Sequence, residues 1–291
     1  MLQRMFIAVS LLLASISYAH SEQSLLVGTW NIEHLASKNG AGCFPRSTAD
    51  YLELKRFASS LDADIIALQE VQNLEAIRRI FDQADYNVFV SSRPEKKPYK
   101  CRRSDPKSPL STHQATAFVI KKGIEYKTAE IEQLSPNGFN RYGLVIQLPG
   151  FDDLQLINLH LKSKCFSNGD HSNSKHQSSC QRKFEQVKDL NTWLEDSGTP
   201  NRILLGDFNR RLAEPNDKLM EKFSGYRLVT SALKGCNPKY PKPIDHILTS
   251  PSVKTGLAYA NPFIDANSDG VNDSVKTMLS DHCPVMLEVK L

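Results

Sequence analysis

Apolar and polar positions along the chain fall into two alternating periods. Short runs rich in β-branched residues occur at 25–30, 64–69, 115–121, 143–148, 154–161, 202–206, 244–248 and 284–290, and each reads as a strand. The run at 154–161 has period two. Leu154, Leu156, Asn158 and His160 share one face, and Gln155, Ile157, Leu159 and Leu161 share the other. Between strands the period lengthens to that of a helix. Ser47, with Asp50 three residues later, forms a capping box ahead of an apolar face made by Tyr51, Leu54, Phe57, Ala58 and Leu61. A second helix carries Leu74, Ile77 and Phe81. A third carries Phe184, Val187, Leu190 and Leu194, with lysine and glutamate on its wet side. Strands outnumber helices, and several are neighbours in sequence. The pattern therefore predicts an α/β layered sandwich with mixed or antiparallel sheets, not a doubly wound parallel sheet.

The first nineteen residues depart from this pattern. One cation, Arg4, precedes an apolar run from Met5 to Leu13, and small and polar residues follow up to Ser17, Tyr18 and Ala19. That is the layout of a secretory signal peptide, so 1–19 is expected to be removed and a mature chain, 20–291, to be exported. A membrane anchor is the alternative, but the run falls short of the ~20 residues that span the hydrocarbon. The mature chain is thus expected to be secreted or periplasmic, with no stable membrane association. Loss of Arg4 takes the formal charge from +4 to +3, a mild excess that suits a polyanionic partner without demonstrating one. With 40% hydrophobic residues and no low-complexity linker or internal repeat, 20–291 reads as one domain and a monomer.

Six cysteines in an exported chain suggest disulfides. Cys165 and Cys180 bracket a polar loop and read as a staple on it, while Cys43 and Cys101 lie in two other loops and are candidates to pair. That leaves Cys236 with Cys283, unless Cys283 is a buried free thiol. Zinc held by Cys165, His171, His176 and Cys180 is the rival reading of the polar loop, although its spacing lacks the tight Cys-x-x-Cys knuckle.

Chemistry collects where strands end. Trp30-Asn31-Ile32-Glu33 closes the first strand, Leu68-Gln69-Glu70-Val71 the second, Asn158-Leu159-His160 a middle one and Gly206-Asp207-Phe208-Asn209 a later one. Ser280-Asp281-His282-Cys283-Pro284 precedes the last. Each alone has a plain structural explanation: a turn cap, a helix start, a satisfied interior histidine. Their joint occurrence just beyond apolar strands is much harder to explain that way. Within 203–211, Gly206 lets the backbone approach other strand ends. Asp207 and Asn209 sit two apart in an extended stretch and so point to one side, while Phe208 points into the packing.

The segments WNIE (30–33), LQEV (68–71), NLHLKS (158–163), GDFN (206–209), IDHIL (244–248) and SDHCPV (280–285) resemble, in order, those of the endonuclease/exonuclease/phosphatase superfamily, typified by pancreatic deoxyribonuclease and the abasic-site repair endonucleases. The resemblance spans 27–290. It implies a four-layered sandwich of two mixed, mainly antiparallel β-sheets flanked by helices, a divalent metal, and attack of water on a phosphoester. A hard cation such as magnesium, with manganese as the alternative, takes oxygen ligands and keeps several waters. The resemblance implies Glu70 as ligand, with Asn31 and Asp281 supporting the ion or its waters. Asp207 is the candidate to take a proton from the attacking water or orient it. Asn209, being uncharged, can donate to a phosphate oxygen. His160 and His282, as imidazolium, could donate to transition-state charge. The resemblance suggests Asp245 as the partner of His282. In deoxyribonucleases a glutamate holds the other histidine, and no counterpart is found here. Arg141, just before a strand, is a candidate to touch a substrate phosphate, with His113 and Gln114 as further candidates.

A separate pattern occurs at 265–273, where Asp265, Asn267, Asp269 and Asp273 place oxygens at the spacing of a calcium loop around Gly270. Position twelve is Lys276 instead of a glutamate. A structural calcium is one reading and a polar surface turn the other. Three function classes remain. An exported metal-dependent nuclease acting on DNA or RNA leads, supported by the resemblance and by basic segments at 99–107 and 237–243. A phosphatase, or a phospholipid phosphodiesterase resembling a sphingomyelinase, is the alternative, though no exposed aromatic hairpin suited to membrane docking is evident. A non-enzymatic binding subunit on the same scaffold is the third. The full set of Glu70, His160, Asp207, Asn209, Asp281 and His282 argues against it.

Overall fold

The first strand is longer than its apolar run. In the computed structural model, which describes residues 24–102, 104–138, 140–237, 241–262 and 279–290, β1 is Ser24–Leu35 and continues through the polar residues at its end. The expected signal peptide and the 265–273 loop lie outside the described residues. The strands that follow are β2 (Ile65–Val71), β3 (Tyr86–Val90), β4 (Ala115–Lys121), β5 (Lys127–Ile131), β6 (Gly143–Leu148) and β7 (Leu154–His160). The later ones are β8 (Arg202–Asp207), β9 (Arg227–Leu228), β10 (Asp245–Thr249), β11 (Lys254–Thr255), β12 (Tyr259–Ala260) and β13 (Val285–Lys290). The helices are α1 (Thr48–Ser60), α2 (Leu74–Arg78) and α3 (Gln177–Asp196).

Two sheets result. One has the order β11-β13-β1-β2-β4-β3, with β12 also on β13, and the other β5-β6-β7-β8-β10-β9. Each is antiparallel except for one central pair, β1 with β2 and β7 with β8. Parallel neighbours need a long crossover, and α1 and α3 supply these two. Leu25, Val27, Ile65 and Phe118 of the first sheet pack against Leu144, Ile146, Leu156 and Leu205 of the second. On the outer face of the first sheet, Leu54, Ala58 and Leu61 in and after α1 cover Ile66 and Leu68. On the outer face of the second, Val187, Leu190 and Leu194 of α3 cover Ile157, Leu159 and Leu204. The layers are therefore helix, sheet, sheet, helix, the expected sandwich.

Both faces of β7 are buried, so its alternation sorts residues between two cores. Leu154 and Leu156 enter the inter-sheet core, and Ile157 and Leu159 pack under α3. Asn158 replaces an aliphatic at the site end of the inter-sheet layer. Its Nδ2 donates to Leu68 O at 3.0 Å and Ala117 O at 2.8 Å, and its Oδ1 accepts from Gln69 Nε2 at 2.9 Å. This polar bolt ties the two sheets together below the place where their strands end.

The capping box at Ser47 and Asp50 is present. The second expected helix is shorter than its apolar spacing suggested, for α2 ends at Arg78 and Phe81 lies in the turn beyond. All six cysteines are joined, as Cys43–Cys101, Cys165–Cys180 and Cys236–Cys283. This overturns the zinc reading of Cys165, His171, His176 and Cys180: two of the four proposed ligands are spent on a disulfide, and neither sulfur is a thiolate.

Candidate active site

Sheet register puts three of the site's side chains in one row. His160 at the end of β7 is opposite Asp207 at the end of β8, and Asp207 is opposite Asp245 at the start of β10. Gly206 makes this row possible. Its φ is +149°, and a Cβ there would stand 1.9 Å from Leu159 O, so only glycine lets β8 lie this close to β7. His160 Nε2 is consequently 3.4 Å from Asp207 Oδ2.

The first sheet supplies the opposite wall through bent strand ends. Glu33 and His34 of β1 have φ of +45° and +51°, and Glu70 of β2 has φ of +60° where the pairing register slips. Non-glycine residues in this region are uncommon and collect at functional sites. Of the nine among the described residues, Glu33, His34, Glu70 and Asn209 line one cavity of about 200 Å³ together with Asn31, Arg141, His160, Ser163, Asp207, Asp281 and His282. Of the eleven residues expected to act on substrate or metal, eight line this cavity, Asp245 adjoins it through His282, and Gln114 and His113 sit behind it against Arg141 and Arg93.

The segment before β13 is tied down at several points. Ser280 Oγ donates to Asn31 O at 2.8 Å and accepts from His282 N at 3.2 Å. Asp281 N donates to Glu33 Oε2 at 2.9 Å, and Trp30 Nε1 donates to His282 O at 3.3 Å. Arg46, fully buried, donates to Ile32 O at 2.8 Å and Leu279 O at 2.5 Å, so one guanidinium clamps β1 to this segment. Arg46, Glu33 and His34 had no role assigned from sequence. Their signals are backbone φ and long-range carbonyl contacts, neither of which a one-dimensional pattern carries.

Asp207 and Asn209 meet by a route other than an extended stretch. Asn209 has φ of +50°, and its N donates to Asp207 Oδ1 at 2.7 Å. Its Nδ2 donates to Asp207 Oδ2 at 3.0 Å and to Leu161 O at 3.1 Å. A tight Asx turn, not strand alternation, brings the pair to one side. Asn31 Nδ2 also donates to Asp207 Oδ2 at 3.0 Å, and Asn31 Oδ1 accepts from Glu33 N. Phe208 is buried against α3's core, as its alternation implied.

Electrostatics separate the two histidines. His282 Nδ1 lies 2.6 Å from Asp245 Oδ2, and its Nε2 is 3.6 Å from Asp281 Oδ1. Burial opposes charge on this ring, but Asp245, then Asp207 and Asp281, outweigh it and hold its pKa well above the ordinary histidine value. His160 goes the other way. Burial, then the positive field of Arg141 and His282, holds its pKa well below the ordinary histidine value, which disfavours the imidazolium expected there. Its Nδ1 is buried without a partner among the described residues, in keeping with the missing glutamate counterpart. Burial, then Asp245, raises Asp207 to about 7. Burial, then Asp281, raises Glu33 to about 7 as well.

Oxygen donors crowd the cavity more densely than hydrogen-bond donors can satisfy. Among the described residues, Asp245 Oδ1 is buried without a partner, and Glu70 Oε1 has ion-pair neighbours only at 3.9 Å, from Arg141 and His160. Asp207, Asp245 and His282 each place a potential ligand atom within 4.8 Å of the others. Repelling buried carboxylates without sulfur fit a hard divalent cation. Arg141 is held at the rim, where its Nη2 donates to Gln114 Oε1 at 2.7 Å.

The central strands of both sheets thus end in carboxylates, amides and histidines gathered at one cavity. The chain belongs to the Endonuclease/Exonuclease/phosphatase family, whose sequence profile matches residues 28–282. It is 25% identical over 252 residues to endonuclease/exonuclease/phosphatase family domain-containing protein 1 of Bos taurus, covering 77% of this chain but 42% of that protein, so the chain spans less than half the length of that curated relative. Among solved structures it resembles an endonuclease/exonuclease/phosphatase family protein from Bacteroides thetaiotaomicron, with a TM-score of 0.62 at 16% identity over 94% of this chain and 99% of the other. It also resembles the 3' phosphatase NExo from Neisseria bound to a product DNA hairpin, with a TM-score of 0.58 at 15% identity over 92% and 100%. At these identities the structural likeness shows the fold.

Proposed function

We propose that the protein is an exported, divalent-metal-dependent phosphodiesterase that hydrolyses nucleic acid by in-line attack of water. One observation carries the reading: a charged His282, held by Asp245 at 2.6 Å, faces the same small cavity as a buried Asp207 whose pKa is pushed up to about 7. A carboxylate poised there can accept a proton from water near neutral pH, and a neighbouring imidazolium can donate to phosphate charge. The two groups differ because their surroundings push their proton affinities apart.

In this reading Glu70, with Asn31 and Asp281, would hold magnesium or manganese. When bound, the ion would withdraw charge from the phosphate and steady the leaving oxygen. Asp207 orients the attacking water and takes its proton. Asn31 and Asn209 fix the Asp207 carboxylate, and Asn209 would reach a phosphate oxygen only by releasing Leu161 O or Asp207 Oδ2, to which both its amide hydrogens are bonded. His160, neutral, offers its Nε2 hydrogen between Asp207 and Glu70. Arg141 neutralises a phosphate oxygen at the rim. Hydrolysis of this kind depends on positioning and charge neutralisation more than on covalent steps.

Export is supported by the signal-like first nineteen residues and by three disulfides, which persist in oxidising compartments. Among the described residues no helix is long and apolar enough to cross a membrane. Nucleic acid as substrate is supported by the DNA hairpin held by the Neisseria structure, whose 3' phosphatase activity also keeps phosphomonoesters as the second reading. Incubation of the chain with plasmid DNA, RNA, sphingomyelin and a simple phosphodiester, each with magnesium or with chelator, tests the proposal. Metal-dependent cleavage of nucleic acid is the expected result. Cleavage confined to sphingomyelin, or to p-nitrophenyl phosphate added to the panel as a phosphomonoester, would replace it.

A further inference from the structure

Beyond the acid-rich cavity, the densest positive charge in the sequence lies in the loop joining β3 and β4. Residues 91–114 hold seven lysines and arginines against two acids, a net of +5 that exceeds the +4 of the whole chain. The rest of the protein is therefore slightly acidic, and the basic excess is local. Nor is the loop a free tether. Cys101 within it is joined to Cys43 in the connection between β1 and α1. Its flanks pair at Lys100 and Leu110, and Ser111 N donates to Tyr99 O at 2.8 Å.

Both ends of the loop return to the cavity rim. Arg93 is only 5% exposed; its Nη2 donates to Gln114 O at 2.9 Å and lies 3.3 Å from His113 Nδ1. Its Nη1 donates to Gly138 O at 3.4 Å, and its Nε is buried without a partner among the described residues. Gln114 also accepts from Arg141 through Oε1, so one residue sets two guanidinium groups side by side. The cations feel one another. Burial and then Arg141 lower Arg93 to about 10, and burial, then Arg93 and Arg141, lower Lys96 to about 8. Burial and the same two arginines lower His113 to about 4. Like charges gathered at such cost, beside a centre built for phosphoesters, call for an anionic ligand.

We propose that Arg93, Lys96 and His113, together with Arg141, form a second anion subsite that holds a phosphate flanking the one cleaved, and that the β3–β4 loop carries the substrate backbone onward. This rests on the nuclease reading and deepens it: the substrate is a strand of successive phosphodiesters, not a lone phosphomonoester. Tyr99, 54% exposed within the basic run, adds a ring on which a base can stack. Cations concentrated in a loop whose ends adjoin the cavity suit a strand better than a membrane, which would need a broader apolar face than Tyr99 and Leu110 provide.

Lys96 keeps much of its surface exposed although its ammonium is partly desolvated, so its replacement disturbs the fold less than that of buried Arg93. Binding of a labelled short oligonucleotide to His282→Ala protein, with chelator present and across a salt series, reads the subsite apart from turnover. Lys96→Gln on that background is expected to weaken binding by roughly 5- to 10-fold and to lower the salt slope by about 0.7–0.9, one phosphate's share. Lys96→Arg should restore both. Lys96→Gln in the otherwise intact enzyme should hydrolyse bis(p-nitrophenyl) phosphate, which has no flanking phosphate, at the parent rate. Unchanged affinity and slope overturn the subsite, and so does an equal loss on the small diester, which would mark a disturbed catalytic centre. Preference for phosphatidylserine vesicles over the oligonucleotide overturns it in favour of a membrane. Intact enzyme that binds the strand through Lys96 yet fails to cut it with magnesium sinks the nuclease reading and leaves the subsite standing.

Discussion

The chemistry of the site turns on how differently two neighbours of Asp207 are treated. Among the described residues, Asp245 spends one oxygen on His282 and leaves the other buried without a partner, while His160 receives no carboxylate on Nδ1. The first arrangement keeps a ring charged, and the second keeps a ring neutral. Replacing His282 with Ala should therefore lower turnover by ~10²-fold or more, with the far-ultraviolet circular dichroism unchanged, since positioned donors contribute on that scale. A purified variant that kept more than about a tenth of parental activity would contradict the assignment. Asp245→Asn tests the partner separately. The amide fills the same space but cannot hold the imidazolium, so turnover should fall by roughly 10²-fold or more with little change in KM. Loss of substrate binding alone would point to a contact role for Asp245. Most of these residues were legible in sequence because each follows an apolar strand inside a short motif. Glu33, His34 and Arg46 were not, because their placement depends on left-handed backbone and on carbonyls some 14 and 233 residues away.

Strands whose two faces are buried announced themselves; strands at sheet margins did not. β6 and β7 occupy nearly the residues their apolar runs mark, whereas β3 is half-buried throughout and β5, Lys-Thr-Ala-Glu-Ile, is mostly exposed. An edge strand satisfies one neighbour and one face, so its sequence can stay polar and lose the period that identifies it. The β8–β10 pair shows how demanding a central position is. Gly206→Ala would set a Cβ 1.9 Å from Leu159 O at φ of +149°, and a loss of at least about 3 kcal/mol in urea unfolding is expected. Next to it, fully buried His246 places Nε2 2.9 Å from Arg210 O and Nδ1 3.0 Å from Thr230 Oγ1. Burial lowers its pKa to about 4, against the ordinary 6.5 in the unfolded chain. Between these values the unfolded state binds the proton and the folded state does not, so His246 makes stability fall as pH drops from 6.5 toward 4. The penalty saturates at about 3 kcal/mol, and His246→Gln should flatten that part of the profile. A variant as acid-sensitive as the parent would place the cause elsewhere.

The three disulfides are distributed so that each braces a different part of the path to the site. Cys43–Cys101 closes 58 residues and holds the basic loop against the end of β1, Cys236–Cys283 closes 47 and adjoins His282, and Cys165–Cys180 closes 15 beside Asn209's backbone partner Lys183. If their main effect is to restrict the unfolded chain, stabilisation grows slowly with the closed length, from about 3 kcal/mol for the shortest to about 4 for the two longer ones. If native packing dominates, the order reverses, because Cys165 and Cys180 are almost wholly buried while the β3–β4 loop is largely exposed. Pairwise replacement of each bridge by alanine, followed by urea unfolding without reductant, distinguishes the two. We expect the chain-entropy order, with removal of Cys165–Cys180 the mildest. Activity should rank differently from stability, since position relative to the site and not loop length governs it. Loss of Cys236–Cys283 frees the residue next to His282 and should lower kcat, whereas loss of Cys43–Cys101 loosens the cations that receive the strand and should raise KM for an oligonucleotide while sparing a small diester. The same kinetic change from both double variants would mean that the bridges act only through global stability, and the coupling of the oxidised scaffold to the two halves of the site would fail.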